Sequence, residues 1–202
     1  MKTALLYVHG KGGAASECER FKPLFPSFDV FGLDYKASTP KDAGKEISDA
    51  VKDLKTRYEK ILLAANSIGA FFCMHSGADK LSDKAFFISP VVDMKALILG
   101  MMNAAGVTEK ELREKGKIQT TSGEELSWEY LRFVRENPIK WDAPTHILYG
   151  ENDALVPFET VKAFAEKHNA RVTVLKNGEH WFHTEEQTRF LDECIKKAFC
   201  GE

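Results

Sequence analysis

The chain has 202 residues, 44% hydrophobic and 29% charged, which suits one compact domain (1–202) with a real apolar core. Its formal net charge is −2, with acidic and basic residues mixed along the whole length, so no electrostatic reason points to nucleic acid or a membrane as partner. No apolar run approaches the roughly 18 residues that span a bilayer. The run at residues 4–8 is too short for a signal-peptide core and leads into His-Gly-Lys, not a small-residue cleavage site.

That first run reads as a buried strand. Further strand-like runs follow at residues 30–33, 61–65, 85–88, 146–149 and 172–175, most of them apolar on successive positions, as in strands covered on both faces. Helical stretches alternate with them, the signature of a mostly parallel sheet sandwiched by helices. After the cap and first-turn pair Thr39-Pro40, apolar residues fall at Ile47, Ala50, Val51, Leu54 and Tyr58, one stripe of a helix. Between the fourth strand and the fifth, residues 91–143 break the alternation. They read as a helical cap insertion with helices at 94–105, 108–115 and 124–136, because a structureless loop that long is improbable in a compact domain. The last helix opens on a capping box, Thr184 to Gln187, and places Phe190, Leu191, Cys194, Ile195 and Ala198 on one side. Four cysteines (Cys18, Cys73, Cys194, Cys200) lie far apart without a CxxC or CxxH pairing, which suggests free thiols in a reducing cytoplasm.

Four loops after strands carry residues suited to chemistry. Ala65-Asn66-Ser67-Ile68-Gly69 lies between a strand and a helical run, a turn that strains a serine backbone and holds its hydroxyl clear of the sheet. Small residues must flank it, and the amide of Ile68 then sits at a helix N-terminus, where an oxyanion would be received. His9-Gly10-Lys11-Gly12-Gly13 follows the first strand; its glycines fit neither phosphate-binding spacing and suit a loop that offers the Lys11 amide to an oxyanion. After the fifth strand, Glu151 and Asp153 compete as the carboxylate, with Asp153 favoured by the turn at Ala154-Leu155-Val156-Pro157. After the sixth, His180 and His183 compete as the base, with His180 nearer the strand end.

Oxyanion loop, serine, acid and histidine in this order resemble the α/β-hydrolase superfamily over essentially the whole chain. Phe31-Gly32-Leu33-Asp34-Tyr35 is similar to the strand end that follows the oxyanion loop in its esterases and lipases. The stretch Gly150 to Pro157 is similar to its Gly-x-x-Asp-x-x-x-Pro segment. The chain departs by carrying Ala65 at the first small position of the turn, and by beginning at the strand before His9, without the antiparallel strand pair that often opens the fold. The resemblance implies a three-layer α/β/α fold with about six mostly parallel strands, the second at one edge beside the first.

It also implies Ser67 as nucleophile, His180 as general base, Asp153 as orienting carboxylate, and the Lys11 and Ile68 amides as oxyanion donors. The activity implied is hydrolysis of a small, partly apolar carboxylic ester through an acyl-enzyme, with no metal or organic cofactor. A thioesterase, peptidase or acyltransferase would use the same groups, and a non-catalytic binding protein would keep only the fold. The apolar, methionine-rich start of the insertion suggests a substrate surface, so His9, Met94, Leu97 and Met101 are the expected substrate contacts.

Overall fold

A computed structural model describes residues 2–201. Strand β1 (Thr3–Val8) leads through a 3-10 helical segment (Ala15–Leu24) to β2 (Asp29–Leu33), then helix α1 (Pro40–Lys55), β3 (Lys60–Asn66), α2 (Ile68–Met74) and β4 (Lys84–Ile88). Next come α3 (Met94–Ala104), α4 (Glu109–Lys115), β5 (Lys117–Gln119), β6 (Glu125–Ser127) and α5 (Trp128–Glu136). The chain ends with β7 (Thr145–Gly150), α6 (Phe158–His168), β8 (Arg171–Leu175) and α7 (Glu185–Cys200). It divides into two compact units: residues up to Val92 with those from Lys140 onward, and Asp93–Ile139.

The larger unit is built on a six-stranded sheet in the order β2-β1-β3-β4-β7-β8, every pair parallel. The second strand lies at one edge beside the first, the arrangement that right-handed crossovers favour. All six residues of β1 and of β7 are buried, so both faces of these strands are covered and their continuous apolar runs have a physical cause. On one face Leu5, Leu62, Phe86 and Leu148 pack with Phe21 of the 3-10 segment, Phe25 just after it, and Leu191, Ile195 and Phe199 of α7. The alternate residues Leu6, Leu63 and Ile147 face the other way, and α1 and α2 contact one another in the layer that buries Ile47, Val51 and Leu54. The α1 cap is made as the sequence indicates, with the Asp42 amide donating to the Thr39 hydroxyl at 3.2 Å. The 3-10 segment between β1 and β2 has no counterpart in the sequence reading. Gly32 permits it, since a Cβ there would lie 1.9 Å from the Ala15 carbonyl oxygen.

The smaller unit corrects one expectation. A helix over residues 124–136 was anticipated, but the antiparallel hairpin β5-β6 occupies the start of that range and α5 begins only at Trp128. Ile118 pairs with Leu126, and the Thr120 amide donates to the Glu124 carbonyl at 2.8 Å across a turn that places Gly123 at φ 84°. The Ser127 hydroxyl accepts from the Tyr130 amide and so starts α5 four residues late. Met94, Ile98, Met102, Leu112, Leu126 and Leu131 are the buried apolar residues of this unit, and Arg135 of α5 forks onto Glu109 of α4 at 2.5 and 2.9 Å.

One buried group ties this fold to pH. His146, 8% exposed, bonds through Nε2 to the Thr173 hydroxyl at 2.8 Å. Burial, with a smaller push from the charges of Arg171 and Lys84, lowers its pKa to about 4. The unfolded chain, in which histidine titrates near its ordinary value, therefore binds the extra proton first as pH falls. Stability carried by neutral His146 is complete above about pH 6.5 and is lost as pH drops towards 4, a change of about 2–3 kcal/mol. Urea unfolding at pH 7, 5.5 and 4 should show this decline, and His146→Gln should flatten part of it. An unchanged slope in the variant would assign the acid sensitivity elsewhere.

Candidate active site

The carboxyl ends of β1, β3, β7 and β8 bring four loops to one edge of the sheet. At the tip of β3, Ser67 sits at φ 52° and ψ −119°, a conformation that costs an L-residue about 1–3 kcal/mol and persists only where its surroundings enforce it. The enforcing contacts are identifiable. The Ser67 amide donates to the Ile88 carbonyl at 2.9 Å, and the Ser67 carbonyl accepts from the Val91 amide at 3.2 Å. Behind it, the turn lies so close to the end of β1 that a Cβ on Gly69 would be 2.3 Å from the His9 carbonyl oxygen and 2.7 Å from that of Val8. The position before the turn tolerates a methyl group: Ala65 is fully buried in register with Val8 and Phe87.

The Ser67 Oγ lies 2.9 Å from His180 Nε2, and His180 Nδ1 lies 2.7 Å from Asp153 Oδ2. The Asp153 side chain is 0% exposed, whereas that of His180 is 23% exposed. The other carboxylate oxygen, Oδ1, accepts from the amides of Leu155 at 2.8 Å and Val156 at 3.0 Å. Three donors thus compensate the burial of its charge, the condition for keeping an ionised carboxylate out of water. With Asp153 ionised, the proton of neutral His180 resides on Nδ1 and Nε2 is left to accept from the serine hydroxyl. A hydroxyl so placed can pass its proton to the ring as it attacks an electrophile.

The competing candidates are engaged elsewhere. Glu151 is exposed and its Oε2 accepts from the Asn177 amide at 2.9 Å, stitching the β7 loop to the β8 loop. His183 is exposed, with Nδ1 3.0 Å from the Trp181 carbonyl and 3.4 Å from Glu179. Ile68 opens α2 directly after Ser67, so its amide has no acceptor within the helix. Lys11 is the second residue of a turn closed by the Gly13 amide on the Gly10 carbonyl at 3.1 Å, and a Cβ on Gly10 would lie 3.2 Å from that of Ser67. His9, expected among the substrate contacts, is instead 8% exposed. Its ring stacks on Tyr35 at 4.3 Å and its carbonyl accepts from the Tyr35 hydroxyl at 2.9 Å, so its side chain anchors the loop. Met94, Leu97 and Met101 all lie on α3 in the other unit, Met94 buried and the other two partly exposed.

Some supporting residues carried no sequence signal. Ser89, fully buried, holds φ 43° just after β4, in the segment that clamps Ser67. Glu17 accepts from the Tyr7 hydroxyl at 2.6 Å and from the Ala14 amide at 3.0 Å, fixing the far end of the loop after β1. Gly150 and Gly178 let the acid and histidine loops touch: a Cβ on Gly150 would lie 2.3 Å from the Glu179 carbonyl oxygen, and the Asn152 amide donates to the Gly178 carbonyl at 2.7 Å. Among the described residues, no group of three or more His, Cys, Asp or Glu is placed to hold a metal ion, and no helix is long and apolar enough to cross a membrane.

No protein-family model matches the sequence, and no curated protein is found to be similar to it. Solved structures do match. A protein of Agrobacterium vitis S4 superposes with a TM-score of 0.76 at 16% identity, over 98% of this chain and 88% of that one. Alpha/beta hydrolase domain-containing protein 10 from mouse gives 0.72 at 16%, over 96% and 88%. This chain has the α/β-hydrolase fold. An esterase of Pyrococcus furiosus shares that α/β-hydrolase architecture with a TM-score of 0.65 at 18% identity, over 98% of this chain and 82% of the esterase. Within the fold, close approach of the last two loops depends on Gly150. Gly150→Ala should lower the melting temperature by roughly 5 °C or more, corresponding to about 2 kcal/mol, as read by calorimetry. A melt like that of the parent would mean that the two loops part without cost.

Proposed function

We propose that the protein is a serine hydrolase that cleaves carboxylic esters through an acyl-enzyme. The observation that carries this reading is the unbroken line from Ser67 Oγ through His180 to buried Asp153, with spacings of 2.9 and 2.7 Å. Neighbours of the same fold include esterases from Pyrococcus furiosus and Thermogutta terrifontis, which lends support at the level of architecture.

In this mechanism Ser67 Oγ forms a bond to the ester carbonyl carbon while its proton moves to His180 Nε2. Asp153 holds the ring in the required tautomer and stabilises the imidazolium. The negative charge that develops on the carbonyl oxygen is received by the Ile68 and Lys11 amides, each such donor being worth about 2.7–4 kcal/mol of barrier. Collapse of the tetrahedral intermediate expels the alkoxide, which takes the proton from His180. Water then attacks the acyl-Ser67 ester, gives its proton to the same ring, and the acid leaves as the Ser67 hydroxyl is restored. The strained turn contributes by fixing Oγ in its attacking position before substrate arrives, so little ordering is left to be done in the transition state.

A fluorophosphonate should label the folded protein at Ser67, with the adduct located by peptide mass spectrometry; absence of the adduct from folded protein would sink the hydrolase reading. On a short-chain ester, Ser67→Ala or His180→Ala should lower kcat by about 10³-fold or more, and Asp153→Asn should cost far more than Glu151→Gln. His183→Ala should retain most turnover. Equal losses for the two acidic positions, or for the two histidines, would leave the proposed roles without support.

A further inference from the structure

A cavity of about 280 Å³, built wholly from the sheet unit, begins at the residue before Ser67 and ends at the residues after His180. Asn66 and Ile88 line it on the sheet side, Phe21 and Phe182 add aromatic wall, and Glu17 and Arg20 add charges of opposite sign. Trp181, also in the lining, is 70% exposed. Leu155, Phe158 and Val174, at 43%, 39% and 41%, are the other exposed large apolar side chains among the described residues. The Trp181 ring stacks on that of His183 at 5.2 Å, itself an exposed side chain.

An indole left that open gains little stability for the fold and forfeits the burial that usually accounts for a tryptophan. Its neighbour in sequence is His180, and Asn66 in the same lining is the neighbour of Ser67, so the cavity wall adjoins both residues along the chain. The cavity is also small, below the range of typical ligand pockets, and four of its ten lining residues, Tyr7, Phe21, Trp181 and Phe182, carry rings. Such a space suits a flat, compact group and offers a long linear chain few low-energy paths. Phe182, next along the loop, is 6% exposed and packs in the core beneath, which pins the backbone that presents Trp181.

We infer that this cavity, with Trp181 as its stacking wall, is the specificity site, and that it selects esters carrying a compact planar group beside the scissile bond. The inference rests on the serine hydrolase reading and deepens it. It also moves the specificity determinant from the α3 methionines to the loop after the histidine. Trp181 acts by binding the substrate's ring through offset stacking and has no part in proton transfer.

The test compares matched methyl esters, phenylacetate against octanoate, and matched alcohols, benzyl acetate against octyl acetate, by indicator-coupled hydrolysis. In the parent protein the ring-bearing member of at least one pair should have the higher kcat/KM. In Trp181→Ala the preference should fall about two- to tenfold, chiefly through KM, the range expected for one aromatic stack. Trp181→Phe should restore most of it. Because Trp181 is exposed, the melting temperature of both variants should match the parent, which separates loss of recognition from loss of fold. A linear preference in the parent, or a ratio unchanged in Trp181→Ala, would overturn the inference while leaving the hydrolase reading intact. No turnover of any ester together with no fluorophosphonate adduct at Ser67 would overturn both.

Discussion

The tight turn at the end of β3 constrains everything placed around it. Ser67 occupies a left-handed conformation that no L-residue adopts without cost, and the chain sustains it by clamping the serine from both sides. Ile88 and Val91, before and after the strained Ser89, take its amide and supply its carbonyl with a donor. Gly69 allows α2 to start against the carbonyls of Val8 and His9. The same approach brings the loop after β1 to the hydroxyl, since Gly10 faces Ser67 at near contact. Three parallel strands, β1, β3 and β4, therefore cooperate in one backbone conformation, which the sheet order makes possible by placing them side by side.

A second constraint operates at the other side of the site. Asp153 and His180 belong to loops after β7 and β8, which are adjacent in the sheet. Their separation is set by backbone contact: Gly150 touches residues 178 and 179, Asn152 bonds to Gly178, and Glu151 reaches Asn177. The carboxylate between them is removed from water yet retains three donors. Orientation of the imidazole follows from that fixed carboxylate.

Backbone contact thus positions Ser67, Asp153 and His180, and side chains brace the loops around them. Glu17 and Tyr7 brace the loop that would offer the oxyanion donor, while Tyr35 holds His9 under it. The residues just beyond His180 divide their labour, Phe182 entering the core and Trp181 remaining outside it.

Much of this was legible in the sequence. Continuous apolar runs announced strands buried on both faces, the Thr39 and Thr184 caps marked helix starts, and alternation of the two implied a parallel sheet with crossovers. Four loops bearing Ser67, His9 to Gly13, Asp153 and His180 pointed to one sheet edge because every parallel strand ends on the same side. These features are local, written in periodicity and in glycine placement, and local rules suffice to read them. Other features depended on tertiary structure. The choice of Asp153 over Glu151 as partner to His180 turns on which carboxylate is buried against the ring. The hairpin within residues 117–127 won over an expected helix start because the Ile118–Leu126 pairing and the Ser127 cap outweighed helical propensity. His9 withdrew from the expected substrate surface because Tyr35, 26 residues later, covers it. The cavity lined by Asn66 and Trp181 joins β1, the 3-10 segment, β3, β4, the loop after β8 and α7, residues as far apart as Tyr7 and Leu191. No periodicity records contacts between segments so distant, because their proximity is created only when the strands order themselves in the sheet.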